Sequence, residues 1–153
     1  PELGVDQREL EREGPSFTVD TLQQLRAELG PDAAIFFVIG DDLLPSLDRW
    51  SRWRQLTDFA HLVVTSRPGA SAALSPEVAT GWRARELSRD QIAEQSSGTV
   101  SRLESALVDV SSTEIRRSIE LGNPIEKVIP ESVLEYIRAH KLYLSSRQTE
   151  ATL

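Results

Sequence analysis

The sequence predicts an α/β fold: a parallel sheet with helices on both faces and a helical C-terminal end. Three observations carry this. Ile35-Phe36-Phe37-Val38-Ile39 is an unbroken apolar run, mostly β-branched or aromatic, which reads as a strand buried on both faces. His61-Leu62-Val63-Val64-Thr65 reads as a second strand. Stretches of helical spacing alternate with these runs, the pattern of a sheet whose strands are joined through helices.

Composition narrows the function classes. With 153 residues the chain can bury one real core. No apolar run approaches the ~18 residues of a membrane span, and no leader pattern stands at Pro1. Cys is absent, which excludes disulfides, thiolate catalysis and cysteine zinc sites and suits the cytoplasm. The formal net charge of −7 argues against a nucleic-acid partner, whose footprint is basic. A phosphate-bearing ligand remains compatible, because local cations and backbone N–H groups suffice to bind it.

In chain order, residues 1–14 read as a short extended piece and a charged connector. Ser16 or Thr18 then caps a helix carrying Val19, Leu22, Leu25 and Leu29, with Asp20 complementing its positive end and Gly30-Pro31 stopping it. Thr18 and nearby N–H groups could equally form an anion or amide site. The first strand ends in Gly40-Asp41-Asp42, with carboxylates at the carboxyl end, where open α/β sheets bind ligands. A core strand followed by a polar turn is the plain alternative. Leu43, Leu44 and Leu47 suggest a short helix.

Arg49-Trp50-Ser51-Arg52-Trp53 follows. Trp53, Leu56 and Phe59 form a core-facing stripe, whereas Trp50 precedes it and could stack on a planar ligand or simply join the core. Arg67, in the loop after the second strand, could pair with a carboxylate or phosphate or lie solvated. His61 sits at the wrong end of its strand for a ligand and reads as structural. Ser75-Pro76 looks like a cap and first helical position, and residues 99–103 like a strand. A short strand over 107–110 runs into Ser111-Ser112-Thr113-Glu114-Ile115-Arg116. Hydroxyls and free N–H groups at a helix start favour an anion, and Arg116 one turn in can reach the same phosphate. A plain Ser cap with a surface Arg is the alternative. Gly122 ends that helix, and a last helix opens at Pro130-Glu131 with Val133, Leu134 and Ile137 as its buried face. His140 lies in its last turn as a terminal residue, and 144–153 is a frayed polar tail.

Several stretches occur together and in order: Pro15 to Leu22, Ile39-Gly40-Asp41-Asp42, Arg49 to Trp53, Arg67-Pro68-Gly69, Ser111 to Arg116 and Pro130 to Tyr143. With them the chain resembles bacterial nicotinate-nucleotide adenylyltransferase, from about Leu3 to Tyr143. The Ser-x-Thr-x-x-Arg motif marks the wider nucleotidyltransferase superfamily, whereas the Ser-Phe-Thr and Arg-Trp-x-x-Trp stretches point to the nicotinate branch. The resemblance implies a Rossmann-like sheet and adenylyl transfer from ATP, with Mg²⁺, to nicotinate mononucleotide, giving deamido-NAD and pyrophosphate. It implies that Thr18 and the Val19 amide hold the nicotinate carboxylate. Trp50 would stack on the pyridine with the Ser51 amide beside it, and Arg67 would stand on the substrate side. Gly40 and Asp42 would line the nucleotide site, and Ser111, Ser112, Thr113 and Arg116 would grip the ATP phosphates, Arg116 being the catalytic candidate. It implies no protein metal ligands, and a homo-oligomer is compatible with it.

Two departures qualify the resemblance. Phe17 stands where the family usually has Tyr. The family also opens with a strand and Gly-x-Phe-Asp-Pro-x-His-x-Gly-His, which supplies phosphate-facing glycines and histidines, and no such segment occurs here. Residues 1–143 are therefore expected to be the C-terminal part of a single nucleotidyltransferase domain, without its first strand and phosphate loop, and inactive alone. The alternatives are another nucleotidyltransferase, such as the phosphopantetheine type, or a non-catalytic nucleotide-binding or assembly module.

Overall fold

The computed structural model describes residues 4–66, 74–87, 92, 95–104, 111–125 and 129–144. The chain forms two compact units, Pro1–Leu107 and Val108–Leu153.

The first unit is organised on three parallel strands in the order β1 (Phe36–Gly40), β2 (His61–Ser66) and β3 (Val100–Glu104). Register sets the faces. Phe37 pairs with Leu62, and Leu62 with Val100; Ile39 pairs with Val64. Side chains alternate along a strand, so these residues share one face. Ile39, Leu62, Val64 and Val100 are buried there with Val19, Leu22, Leu44, Leu47, Leu56, Val78 and Trp82. The other face carries Phe36, 51% exposed, and Val38, 56% exposed. The expectation that the first run is buried on both faces is therefore corrected. Among the described residues β1 is one of the two edge strands, and its Phe36 and Val38 face is only partly covered.

Among the described residues, four helices and two 3₁₀ segments accompany the sheet, and Ile92 is also helical. α1 (Arg8–Glu11) is a single turn within the stretch expected to be an extended piece and connector. Asp6 accepts from the Arg8 backbone N–H and guanidinium, closing the turn locally. α2 (Thr18–Leu29) starts after Phe17, and Gly30, at φ 87°, donates its N–H to the Arg26 carbonyl to end it. Neither Ser16 nor Thr18 caps this helix by its side chain: the Ser16 hydroxyl donates instead to the Glu9 carbonyl at 3.1 Å. Leu29 is exposed, so Val19 and Leu22 make the buried stripe, with Leu25 packed at its edge.

The Leu43 to Leu47 region is a 3₁₀ helix spanning Asp41–Arg49. Pro45 inside it has no N–H to donate and its ring crowds the preceding turn, which disfavours a regular α-helix. A short 3₁₀ turn (Trp53–Gln55) leads into α3 (Leu56–Phe59), and Trp53, Leu56 and Phe59 all pack on the core as the spacing implied. α4 (Pro76–Arg83) has the expected start: the Ser75 hydroxyl accepts from the Val78 N–H at 3.4 Å, with Pro at the first turn.

Two polar side chains tie this unit together. His61 is fully buried. Its Nε2 donates to the Gln95 carbonyl at 2.9 Å, its Nδ1 pairs with the Thr99 hydroxyl at 2.7 Å, and its ring stacks on Phe36 at 5.0 Å. This agrees with the structural reading of His61. Arg26 projects from α2 and donates to the carbonyls of Gly30, Pro31, Ala33, Phe59 and Ser96.

The second unit contains α5 (Ser112–Leu121) and α6 (Glu131–Ala139). Gly122, at φ 72°, ends α5 with its N–H on the Ile119 carbonyl, and Asn123 N–H reaches Ser118 O at 2.8 Å. Leu134 and Ile137 are buried on α6, but Val133 is exposed, a correction to the three-residue face. Residues 133 and 137 are neighbours on a helix, yet 133 lies in the first turn, at the end of the element. The His140 Nδ1 pairs with the Tyr136 carbonyl at 2.9 Å and the two rings stack at 4.0 Å, in keeping with a helix-terminal role. The expected strand over 107–110 and the tail beyond 144 fall wholly or almost wholly outside the described residues.

Candidate active site

The first unit carries two groups of predicted residues. One lies at the carboxyl end of β1. Gly40 is the last residue of the strand and the residue before the 3₁₀ helix, and the Asp42 carboxylate folds back against it, so that a Cβ at position 40 would overlap an Asp42 oxygen. Asp42 is exposed, whereas Asp41 is buried with Oδ2 lacking a hydrogen-bond partner. The nucleotide candidate is thus the accessible one of the two carboxylates.

The other group is formed by the start of α2 and the loop after the long 3₁₀ helix. Thr18 and Val19 are the first two helical residues, so their N–H groups have no carbonyl one turn back to bind. Thr18 is half-buried; Val19 is fully buried in the core, which confines anything it offers a ligand to its backbone. Trp50 is half-buried, packs on the core, and meets Phe37 edge to face with centroids 6.4 Å apart. Its N–H donates to Leu47 O at 3.1 Å, and its carbonyl accepts from Trp53 N–H at 3.3 Å, so both ends of the residue are fixed. Trp50 thus packs on the core and keeps partial exposure, so its structure bears the core reading and leaves the platform reading open. Ser51 follows, half-buried.

One interaction joins the loop to the helix: the Arg52 guanidinium donates to the Asp20 carboxylate, an ion pair. Sequence reasoning missed it, and the only available signal was the opposite charge of the two residues. Hydrogen bonds from Arg8 hold the Asp6 carboxyl below the usual carboxylate range, and Asp6 and then Glu28 push Arg8 upward.

In the second unit Ser111 precedes α5 without a side-chain cap bond, and Ser112, Thr113 and Arg116 are exposed in its first turns. The Arg116 Nη2 donates to the Thr113 hydroxyl at 3.4 Å, so cation and hydroxyl share one side of the helix start. Such an arrangement can accept a phosphate through N–H, hydroxyl and guanidinium donors. Arg67 lies outside the described residues. A cavity of about 390 Å³ bounded by Leu47, Trp53, Thr57, Val78, Trp82 and Arg85 includes none of the predicted site residues. Arg54 lies over Trp53 at its wall, 4.6 Å from the ring centroid.

Comparison with known proteins gives the family. The cytidylyltransferase-like family model matches residues 3–118. A Chromobacterium violaceum protein named "Probable nicotinate-nucleotide adenylyltransferase" is 44% identical over 92% of this chain and 66% of its own length. A Cellvibrio japonicus protein of the same name is 40% identical over 94% of the chain and 68% of its own. The chain belongs to the nicotinate-nucleotide adenylyltransferase family. It spans about two thirds of the length of these relatives. The fold is similar to Plasmodium falciparum nicotinic acid mononucleotide adenylyltransferase, solved complexed with APC and with NaAD. Each gives a TM-score of 0.58 at 18% identity over 86% of this chain, covering 60% and 58% of the solved chains.

Proposed function

We propose that the complete protein transfers the adenylyl group of ATP to nicotinate mononucleotide, a step of NAD biosynthesis. The observation that carries this is identity at or above 40% to named nicotinate-nucleotide adenylyltransferases across more than nine tenths of the chain. A phosphate oxygen of the mononucleotide attacks the α-phosphorus of ATP. The new P–O bond forms as the α–β anhydride bond breaks, and pyrophosphate leaves, with deamido-NAD as product. No covalent intermediate is needed, so the protein's work is positioning and charge stabilisation.

In this reading Thr18 and the Val19 N–H hold the nicotinate carboxylate, Trp50 stacks on the ring and the Ser51 N–H lies beside it, with Arg67 on the substrate side. Asp42 and the Gly40 backbone line the nucleotide site. Ser111, Ser112, Thr113 and Arg116 bind the ATP phosphates. Support comes from residue types fitted to these tasks: free helix-start N–H groups for an anion, a partly open indole for a planar ring, and an exposed Arg beside a Thr hydroxyl for phosphate. Among the described residues no three His, Cys, Asp or Glu side chains gather to hold a metal ion. Mg²⁺ is assigned to the substrate on the family likeness, arriving on the ATP phosphates, where it would supply charge neutralisation. A reaction consuming ATP fits the cytoplasm. Among the described residues no helix is long and apolar enough to cross a membrane.

Residues 1–143 are proposed to be part of one nucleotidyltransferase domain. The test is pyrophosphate release by the complete protein from ATP and Mg²⁺, with nicotinate mononucleotide, nicotinamide mononucleotide or phosphopantetheine as acceptor. Turnover greatest with nicotinate mononucleotide is expected. Turnover with phosphopantetheine alone, or with none, would reject the assignment.

A further inference from the structure

We propose that Arg52 makes the pyridine site accept an acidic ring, by cancelling the charge of Asp20 at the head of α2. This rests on the reading of Thr18, Val19, Trp50 and Ser51 as the pyridine side of the site.

Asp20 is the third residue of α2 and lies in its first turn. Helix-start N–H groups and the positive end of the helix dipole attract a carboxylate. Asp20 already places one there. Left alone it occupies the favourable field and repels a second carboxylate arriving at Thr18 and Val19. Arg52 removes that objection, its Nη2 donating to Asp20 Oδ1.

Arg52 is placed to do so by the turn that follows the platform. It comes directly after Trp50 and Ser51, and its backbone is left-handed, φ 49° and ψ 37°. Non-glycine residues adopt that region uncommonly. The Arg52 carbonyl accepts from Gln55 N–H at 2.8 Å, fixing the turn from which the guanidinium reaches α2. The same pair therefore also holds the Trp50–Ser51 loop beside the helix start.

Charges on the other flanks of α2 have partners of their own. Glu9 accepts from the Thr21 hydroxyl at 2.6 Å, and Arg12 donates to Thr21 and to the Gln24 side chain. Arg8 pairs with Asp6 and Glu28, the latter at the far end of α2. Asp20 and Arg52 are the opposed charges bridging helix and loop. Both side chains are partly exposed, so the effect should depend on salt.

The consequence separates two substrates that differ only in the ring substituent. An acidic ring needs Asp20 neutralised, whereas a carboxamide ring is indifferent to it or donates an N–H to it. The experiment measures kcat/KM of the complete protein for nicotinate and nicotinamide mononucleotides. Arg52→Gln should lower the acid-to-amide ratio by about fivefold or more at low salt, less at high salt. Asp20→Asn alone should hold or raise the ratio. The double variant Arg52→Gln/Asp20→Asn should restore it to within about threefold of wild type, since the uncompensated carboxylate is gone. A purely structural pair would lower both substrates alike and give no rescue, and that result would overturn the inference. Should Arg52→Gln fail to fold, a fall in the ratio with Asp20→Asn would overturn it equally. Transfer by the wild type to neither pyridine nucleotide would instead overturn the underlying reading together with this one.

Discussion

Replacing Arg26 should damage the fold far more than the partial exposure of its side chain suggests. Its guanidinium makes six contacts to five carbonyls: Nε and Nη2 to Phe59, Nη2 to Ser96, and Nη1 to Gly30, Pro31 and Ala33. An Arg has five N–H donors, so all are in use and two contacts of Nη1 share one. These carbonyls lie at the end of α2, in the loop before β1, at the entry to β2 and in the approach to β3. Removing the side chain takes the described donor from the part-buried Phe59, Gly30 and Ala33 carbonyls, whereas Ser96 O keeps the Ile35 N–H at 3.4 Å. Charged hydrogen bonds contribute roughly 1.5–3 kcal/mol each, but they are not additive here, because the carbonyls can partly rehydrate. A net cost of about 3 kcal/mol for Arg26→Met is the reasonable figure, near the top of the usual single-substitution range. For a domain of this size that lowers Tm by about 6–12 °C. Arg26→Lys, with three donors on a point charge, should recover less than half. The assay is urea and thermal unfolding of the complete protein. A loss below about 1 kcal/mol for Met, or full recovery with Lys, would refute the claim that the planar five-donor fork holds these segments together.

Three further outcomes follow from the site and the core. Trp50→Ala should weaken nicotinate mononucleotide binding by ~1–2 kcal/mol with little change for ATP, while Trp50→Phe keeps part of the stack; calorimetry with each ligand separates this from a general loss. Arg116→Ala should slow turnover by about tenfold to 100-fold or more with thermal stability nearly unchanged, read by steady-state kinetics and a melt. His61→Ala should lower unfolding free energy by about 2–4 kcal/mol, because it empties a packed site and leaves Gln95 O and the Thr99 hydroxyl unpaired, as denaturant titration would report.

The elements were legible where one local rule decides them. Val19 and Leu22 with Gly30-Pro31 predicted a helix and its stop, Ser75-Pro76 predicted a start, and the β-branched runs predicted strands. Misreadings arose where a distant partner or an element's position decides. Ser16 looks like a cap, yet Glu9 offers its hydroxyl a carbonyl acceptor. Val133 has the right spacing, but it sits in a terminal turn. Phe36 and Val38 are as apolar as Phe37 and Ile39, and only what packs on each face of the sheet tells them apart. Arg26 and Arg52 were invisible because their acceptors are far away in sequence: Phe59 and Ser96 for one, Asp20 for the other.

The proposed pyridine site also shows why core and site are hard to separate in such a chain. Alternation along β1 turns Phe37 and Ile39 toward the core, and Phe37 meets the edge of Trp50. The long 3₁₀ helix beginning at the strand's carboxyl end carries Leu44 and Leu47 into the same core, and Leu47 O accepts the Trp50 N–H. Val19, at the head of α2, is buried in that cluster too. Val19 and Trp50 are thus anchored by apolar neighbours. A planar ligand gains from this, because ordering entropy at Trp50 is largely met on folding and not again on binding. The same anchoring means that a substitution in the packed layer, such as at Leu47, should disturb binding without touching the ligand. What distinguishes the site from core is only which side of the indole and which end of α2 remain uncovered.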